Sequence, residues 1–391
     1  MFEYFPGNYS WNMAVLMAIQ LGGQISEIDG ACRPLREKAA APGANADAEA
    51  QAAWASSWLR TAQKIESLGR RDQAGGHLFS AAGRLRRAAV YYMTAERFLA
   101  HRDDRKMAAY EAMLDCFADA VSLGGERLET VGIPYEGVDL PALFAPADTD
   151  GPAPCLINFD GFDVVKEWFH LCGVAEALNR RGISVLMVDH PGVGGAIRYH
   201  GLTAIVETER PAAACIDYLE SRADVDSSRI GIIAPSLGGY FAPRAAAFEP
   251  RLACCIAWGA RWDNAGSHGR ILRDPSAARS VPGWLDHALW VYGQETADGC
   301  AAMIDRMTLE GIADRIRCPI LVAHGENDRQ VPIDQAHRTI AEAVNSPRRD
   351  LRIFTSEEGG IEHCGVDNLP VQIDYMADWA ADVLGGRAGP G

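Results

Sequence analysis

The chain is short of positive charge. Against 52 Asp and Glu it carries 37 Lys and Arg, a formal net charge of -15. Without clustered cations it has little with which to displace the counterions of a phosphate backbone, so nucleic acid is excluded as a partner. Metal-ligand spacing is lacking as well. The ten His and ten Cys form neither HExxH nor CxxC pairs, so no metal and no cofactor is expected. The cysteines lie in apolar runs such as LACCIAW and LDCFADAV, too sparse for a disulfide scaffold, and are read as reduced core residues. No apolar run is long enough to span a bilayer. The opening MFEYFPGNYSWNMAVLMAIQ has an acid where a secretory leader has its basic start, and no small-residue cleavage site, so a cytoplasmic location off the membrane is the expectation. A nucleotide fingerprint is missing too. In VDHPGVGG, Gly192, Gly194 and Gly195 do not complete GxGxxG and no P-loop lysine follows, which leaves a structural loop near a site.

What is present is an ordinary globular composition, 48% hydrophobic and 23% charged, over 391 residues, more than one compact domain usually spans. The first third has no convincing strand. It reads as Ala-rich helices over Tyr9 to Leu21, Ala48 to Ser67, Asp72 to Thr94 and Lys106 to Leu123, ended by the Gly pair 124 and 125. No consensus repeats between them, so an irregular helical domain over 1–125 is expected in place of a solenoid. Its apolar helix Tyr9 to Leu21 raises two alternatives, a homodimer contact and packing onto the rest of the chain.

Past Gly125 the texture changes to short β-type runs: ERLETVGIPY, VDLPALFAP, PCLINFD, GISVLMVD, RIGIIAP, LACCIAWG, PILVAHG and LRIFTSE. The first two form a hairpin about YEG; most of the others are continuous apolar runs with helical segments between them. That alternation builds a mostly parallel sheet with helices on both faces, an α/β fold over 126–391. A helical cap insertion is expected at about 263–312, shaping a pocket for a small-molecule substrate.

Three segments carry chemistry. In RIGIIAPSLGGYFAP a buried strand meets a helix through Pro235, Ser236, Leu237, Gly238 and Gly239, the strand, nucleophile, helix turn of a nucleophile elbow. Ala234 stands where GxSxG has its first glycine, and a helix N-cap is the alternative role for Ser236. In PILVAHGENDRQVP, Asp328 follows a strand end, where catalytic groups gather in open α/β sheets; Glu326 is the rival acid, and a solvated loop acid the bland alternative. In EEGGIEHCGVD, His363 follows the last strand in a Gly-flanked loop. Taken singly each is weak, but Ser, Asp, His in that chain order, each after a different strand, is the order of the α/β-hydrolase fold. His363 would take the Ser236 proton, Asp328 would fix the imidazole, and backbone N–H groups of Leu237 and Phe162, the latter in NFDGFD, would form the oxyanion hole. The cap histidines His268 and His287 read as exposed, with substrate contact the alternative. Trp258, Trp262, Trp284, Trp290 and Tyr240 read as packing.

Beyond the generic fold, GFDVVKEW, DHPGVGG, PSLGGY, EPRLACCIAWG, HGENDRQVP and YMADWAADVL together resemble the family of bacterial 2,6-dihydroxypseudooxynicotine hydrolases and fungal pigment hydrolases that shorten polyketides. The resemblance covers about residues 70 to 386. It implies Ser236, Asp328 and His363 as a triad, Phe162 and Leu237 as oxyanion donors, a homodimer, and hydrolysis of a C–C bond beside a ketone. Ala234 departs from the family's glycine, and Asp263 is the nearest candidate in the cap for an additional acid. A carboxylesterase or lactonase, and an acyltransferase, use the same triad; a non-catalytic binding protein on the same fold is the alternative from another class.

Overall fold

The strand-rich part of the chain begins with a hairpin. Strands β1 (Glu129–Tyr135) and β2 (Val138–Ala145) pair antiparallel with Tyr135 opposite Val138. Glu136 and Gly137 between them take φ of 48° and 87°, the left-handed pair that a tight two-residue hairpin needs. Six parallel strands follow: β3 (Ala153–Phe159), β4 (Ser184–Val188), β5 (Val225–Pro235), β6 (Cys254–Trp258), β7 (Ile320–Gly325) and β8 (Arg349–Phe354). They complete an eight-stranded sheet in the order β1-β2-β4-β3-β5-β6-β7-β8, with β2 antiparallel to β4. In this computed structural model every residue is described except positions 42, 275, 388, 390 and 391. Every position of β3, β4, β6 and β7 is buried, which is why these strands read as unbroken apolar runs: helices cover both faces. The eight expected β runs are the eight strands.

The chain divides into two compact units, 1–127 with 278–287, and 128–277 with 288–391. In the first, helices Tyr9–Gln20, Ala48–Ala74, Leu78–Glu96 and Asp104–Gly124 enclose an aromatic core. Trp54 stacks on Phe98 with centroids 4.4 Å apart and meets Trp11 edge-on at 4.9 Å. Residues Ser10 to Ala18 of the first helix are buried, so its apolar face is already covered. The second helix runs to Ala74, past the expected end at Ser67. Gly69 does not stop it; a Cβ there would stand 3.1 Å from Leu85, so this glycine serves close helix packing. Gly125, with φ 68°, closes the fourth helix as expected.

Between β6 and β7 lie helices His268–Arg273, Trp284–Val291 and Ala297–Arg306. This is the stretch expected as a cap, but Ala278–His287 groups with the first unit. Among the described residues all ten cysteines are free, nine of them buried, and no helix is long and apolar enough to cross a membrane.

Candidate active site

Strand β5 delivers Ser236 into a strained turn. Its φ of 59° is left-handed, a conformation that costs a non-glycine residue about 1–3 kcal/mol unless its surroundings impose it. Two backbone bonds do so: Ser236 N–H donates to Trp258 O at 2.8 Å, and Gly239 N–H donates to Ser236 O at 2.8 Å. The glycines beyond the serine are steric requirements. A Cβ on Gly239 would stand 2.8 Å from Ala260 Cα, and one on Gly238 would fall closer than 3.0 Å to the Ala234 methyl. The alanine that departs from GxSxG is therefore matched by the glycine four residues on, and the turn keeps its shape.

The carboxyl ends of β7 and β8 supply the partners. His363 Nε2 lies 2.8 Å from Ser236 Oγ, and its Nδ1 lies 2.7 Å from Asp328 Oδ2. The other Asp328 oxygen accepts from Gln330 N–H at 2.8 Å and Val331 N–H at 2.9 Å. Side-chain exposure is 2% for His363 and 1% for Asp328. Burial opposes charge on both, but their mutual attraction outweighs it. The Asp328 carboxyl is held well below the usual carboxylate range, and the His363 imidazolium is favoured above the usual imidazole range. With the Nδ1 proton committed to Asp328, Nε2 is the acceptor facing the serine hydroxyl. Glu326, the rival acid, is exposed and accepts from Ser356 N–H at 2.5 Å.

The histidine loop is held by a residue that the sequence reading passed over. The Asp367 carboxylate accepts from the N–H groups of Gly360, Ile361 and Glu362 at 3.0, 3.2 and 2.8 Å. No local pattern marked it, because its carboxylate reaches back to N–H groups five to seven residues earlier.

The loop after β3 lies against Ser236. A Cβ on Gly161 would stand 3.0 Å from Pro235 O and 3.1 Å from Ser236 Cβ, so only glycine lets the backbone come this near. Phe162 is buried beside it. On the other side, Leu237 N–H, at the head of the helix Gly238–Phe248, has no acceptor among the described residues. Behind this loop is a buried charge cluster, also unforeseen. Asp189 accepts from Lys166 N–H at 3.0 Å, Lys166 Nζ at 3.0 Å and Gly195 N–H at 2.7 Å; Lys166 Nζ also reaches Glu167 Oε1 at 2.7 Å. These bonds tie DHPGVGG to the segment after Phe162, which gives that Gly-rich loop the structural role expected of it. Burial, then the charges of Asp189 and Glu167, push the Asp160 carboxyl well up. Burial pushes His190 down to about 4, so a neutral imidazole donates from Nε2 to Asp160 O at 3.2 Å and steadies the loop.

One expectation needs correction. His268 is 2% exposed, not a surface cap residue: its Nδ1 lies 2.6 Å from Tyr292 Oη and its ring meets Phe162 edge-on at 4.6 Å. His287 is half-buried. Trp258, Trp262, Trp284 and Tyr240 are core, as expected, while Trp290 is half-buried beneath the Arg198 guanidinium at 5.1 Å. Asp263 is occupied by Gly266 N–H at 2.5 Å. A cavity of about 560 Å³ near Asp148, Arg181 and Arg229 lies beside Ala153, where β3 begins, at the opposite end of the strands from Ser236. Among the described residues no cluster of side chains has the make-up of a metal site.

A mostly parallel sheet with a serine elbow at the end of β5, and a histidine and an aspartate after the last two strands, defines a hydrolase of the α/β-hydrolase type. Residues 51–350 match the FrsA-like family, described as Esterase FrsA-like, and the chain belongs to that family. Among curated relatives, 20-hydroxy-prefusarin hydrolase FUS2 of Gibberella moniliformis is 27% identical over 83% of this chain and 86% of its own. The 2,6-dihydropseudooxynicotine hydrolase of Paenarthrobacter nicotinovorans is 27% identical over 85% of this chain and 84% of its own. The crystal structure of the 2,6-dihydroxy-pseudo-oxynicotine hydrolase shares the fold, with a TM-score of 0.76 at 24% identity, over 96% of this chain and 98% of the other.

Proposed function

We propose that this protein is a serine hydrolase that cleaves a carbonyl-activated C–C bond of a small aromatic or polyketide-like compound. The observation that carries the proposal is the unbroken hydrogen-bonded chain from Ser236 Oγ through His363 to Asp328, with links of 2.8 and 2.7 Å. Ser236 Oγ attacks the ketone carbon while His363 Nε2 takes its proton and Asp328 stabilises the imidazolium. The Leu237 and Phe162 N–H groups receive the developing oxyanion. Collapse of that intermediate breaks the C–C bond; its electron pair stays on the departing carbon, stabilised by a ketone or an aromatic ring, and takes the His363 proton, so the leaving group departs as a neutral C–H compound. Water, deprotonated by His363, then releases the acyl group from Ser236 as a carboxylic acid.

The carbon leaving group follows from the resemblance to hydrolases that cut a C–C bond beside a ketone, and relatives named for a pseudooxynicotine and a prefusarin compound support a substrate of that class. The family's description as an esterase favours a second reading, a carboxylesterase or lactonase working through the same three residues. Paired turnover of wild type and Ser236→Ala on aryl esters and on β-diketones or acyl-phenols, with products weighed by mass spectrometry, separates them. Scission between carbons in wild type alone is the expected result. Cleavage of esters alone would replace it with the second reading, and equal activity of the mutant would remove both.

A further inference from the structure

Arg261 stands three residues beyond the end of β6 and is 1% exposed. The two residues before it wall the reaction centre. A Cβ on Gly259 would meet Cys364 Sγ at 3.0 Å, Ser236 N at 3.6 Å and His363 Cε1 at 3.8 Å, and Ala260 Cα closes on Gly239. A guanidinium taken out of water needs a carboxylate or a full set of acceptors, because its charge cannot be shed. Arg261 has neither. Its Nη1 donates to Asn264 Oδ1 at 3.2 Å and Ser267 Oγ at 3.0 Å. Its Nε is buried with no acceptor, its Nη2 makes no hydrogen bond to a described residue, and no described carboxylate lies within ion-pair distance. Burial, the largest influence, disfavours the cation; Tyr292, Asp328, Cys364 and Asp163 are its electrostatic neighbours, and of these the carboxylates of Asp328 and Asp163 supply negative charge. Asp328 acts only through space, since its oxygens are taken by His363, Gln330 and Val331.

The surroundings connect this cation to the loop of Phe162. Tyr292, which lies beside Arg261, bonds His268, and both rings contact Phe162, at 5.8 and 4.6 Å. We infer that Arg261 binds the substrate through a planar anion that offers two oxygens, a carboxylate or the enolate of a β-dicarbonyl, received on the unpaired Nε–Nη2 edge. Fork geometry of that kind is what a guanidinium provides and an ammonium does not. The inference rests on Ser236 as nucleophile, and it makes the substrate of that serine an anion.

The test has a binding arm and a turnover arm. In the first, calorimetry compares benzoate with benzamide, and acetylacetone at a pH that ionises it with its 3,3-dimethyl analogue, which cannot form that enolate, on wild type, Arg261→Met and Arg261→Lys. In the second, kcat/KM is compared for mono-4-nitrophenyl glutarate and its neutral methyl ester. Wild type should prefer the anionic ester by about 10-fold or more, chiefly in KM, as a charged hydrogen bond supports. The ratio should collapse in Arg261→Met, and Arg261→Lys should keep only part of it. The two anions tell carboxylate from enolate. Wild type that binds neither anion better than its neutral partner and shows no ester preference overturns the inference, whatever the variants do. Anion binding lost in Arg261→Met, with turnover of neither the esters nor a β-diketone in any form, would keep the anion site and overturn Ser236 hydrolysis instead.

Discussion

Positions 234 and 238 compete for one volume. A Cβ on Gly238 would fall closer than 3.0 Å to the Ala234 methyl, while the next atoms, Asp160 O and Pro235 Cδ, lie at 3.4 and 3.5 Å, ordinary contact. Both residues are buried. Gly238→Ala alone forces two methyl carbons together, and overpacking of a tight core costs about 1–3 kcal/mol. Ala234→Gly alone removes one buried methyl and frees a strand residue, about 1–2 kcal/mol. In the double mutant the methyl moves from strand to helix, where alanine is preferred to glycine by up to about 1 kcal/mol. The two changes should therefore be less destabilising together than their sum by about 1–3 kcal/mol. Urea unfolding of the four proteins, followed by tryptophan fluorescence and by loss of activity, measures this coupling. If Gly238→Ala costs the same in both backgrounds to within about 0.5 kcal/mol, the steric account of the elbow is wrong.

Asp328→Asn should lower kcat by about 1000-fold or more, since the imidazole loses its oriented tautomer and the stabilisation of its cation. Its pH profile carries a sign: Asp328 raises the His363 pKa, the neutral imidazole is the active form, and so activity in wild type falls as pH drops through a value above 6.5. Asn at 328 should move that acid limb of kcat/KM to lower pH; a limb that stays put would separate it from His363. Gly161→Ala, whose Cβ meets Pro235 O at 3.0 Å, should displace the Phe162 loop by tenths of an ångström and lower kcat by about 10- to 100-fold, with a melting temperature close to wild type. Sedimentation at micromolar concentration tests the homodimer implied by family resemblance: a dimer mass is expected, and a monomer throughout removes it.

Strands β3, β4, β6 and β7 were legible because burial on both faces turns each into an apolar run, and the serine, aspartate and histidine because each follows a strand end in a fixed order. Local pattern failed where tertiary contact decides. The helix expected to end at Ser67 runs on to Ala74, with Gly69 packed on Leu85. His268 looks like a surface histidine until Tyr292 and Phe162 close over it. Nothing in GARWDNAGS marks Arg261 as buried, since burial of a cation depends on which loops fold over it, and the Lys166, Asp189 and Asp160 cluster joins residues from two separate loops. The grouping of 278–287 with the N-terminal helices is equally non-local.

The most direct measurement is covalent. A fluorophosphonate traps an activated serine, so intact-mass spectrometry of the treated protein should show one adduct, mapped by proteolysis to the peptide containing Ser236. It should be absent in Ser236→Ala and formed far more slowly in Asp328→Asn. An unlabelled wild type, or an adduct that persists in Ser236→Ala, would contradict Ser236 as the nucleophile.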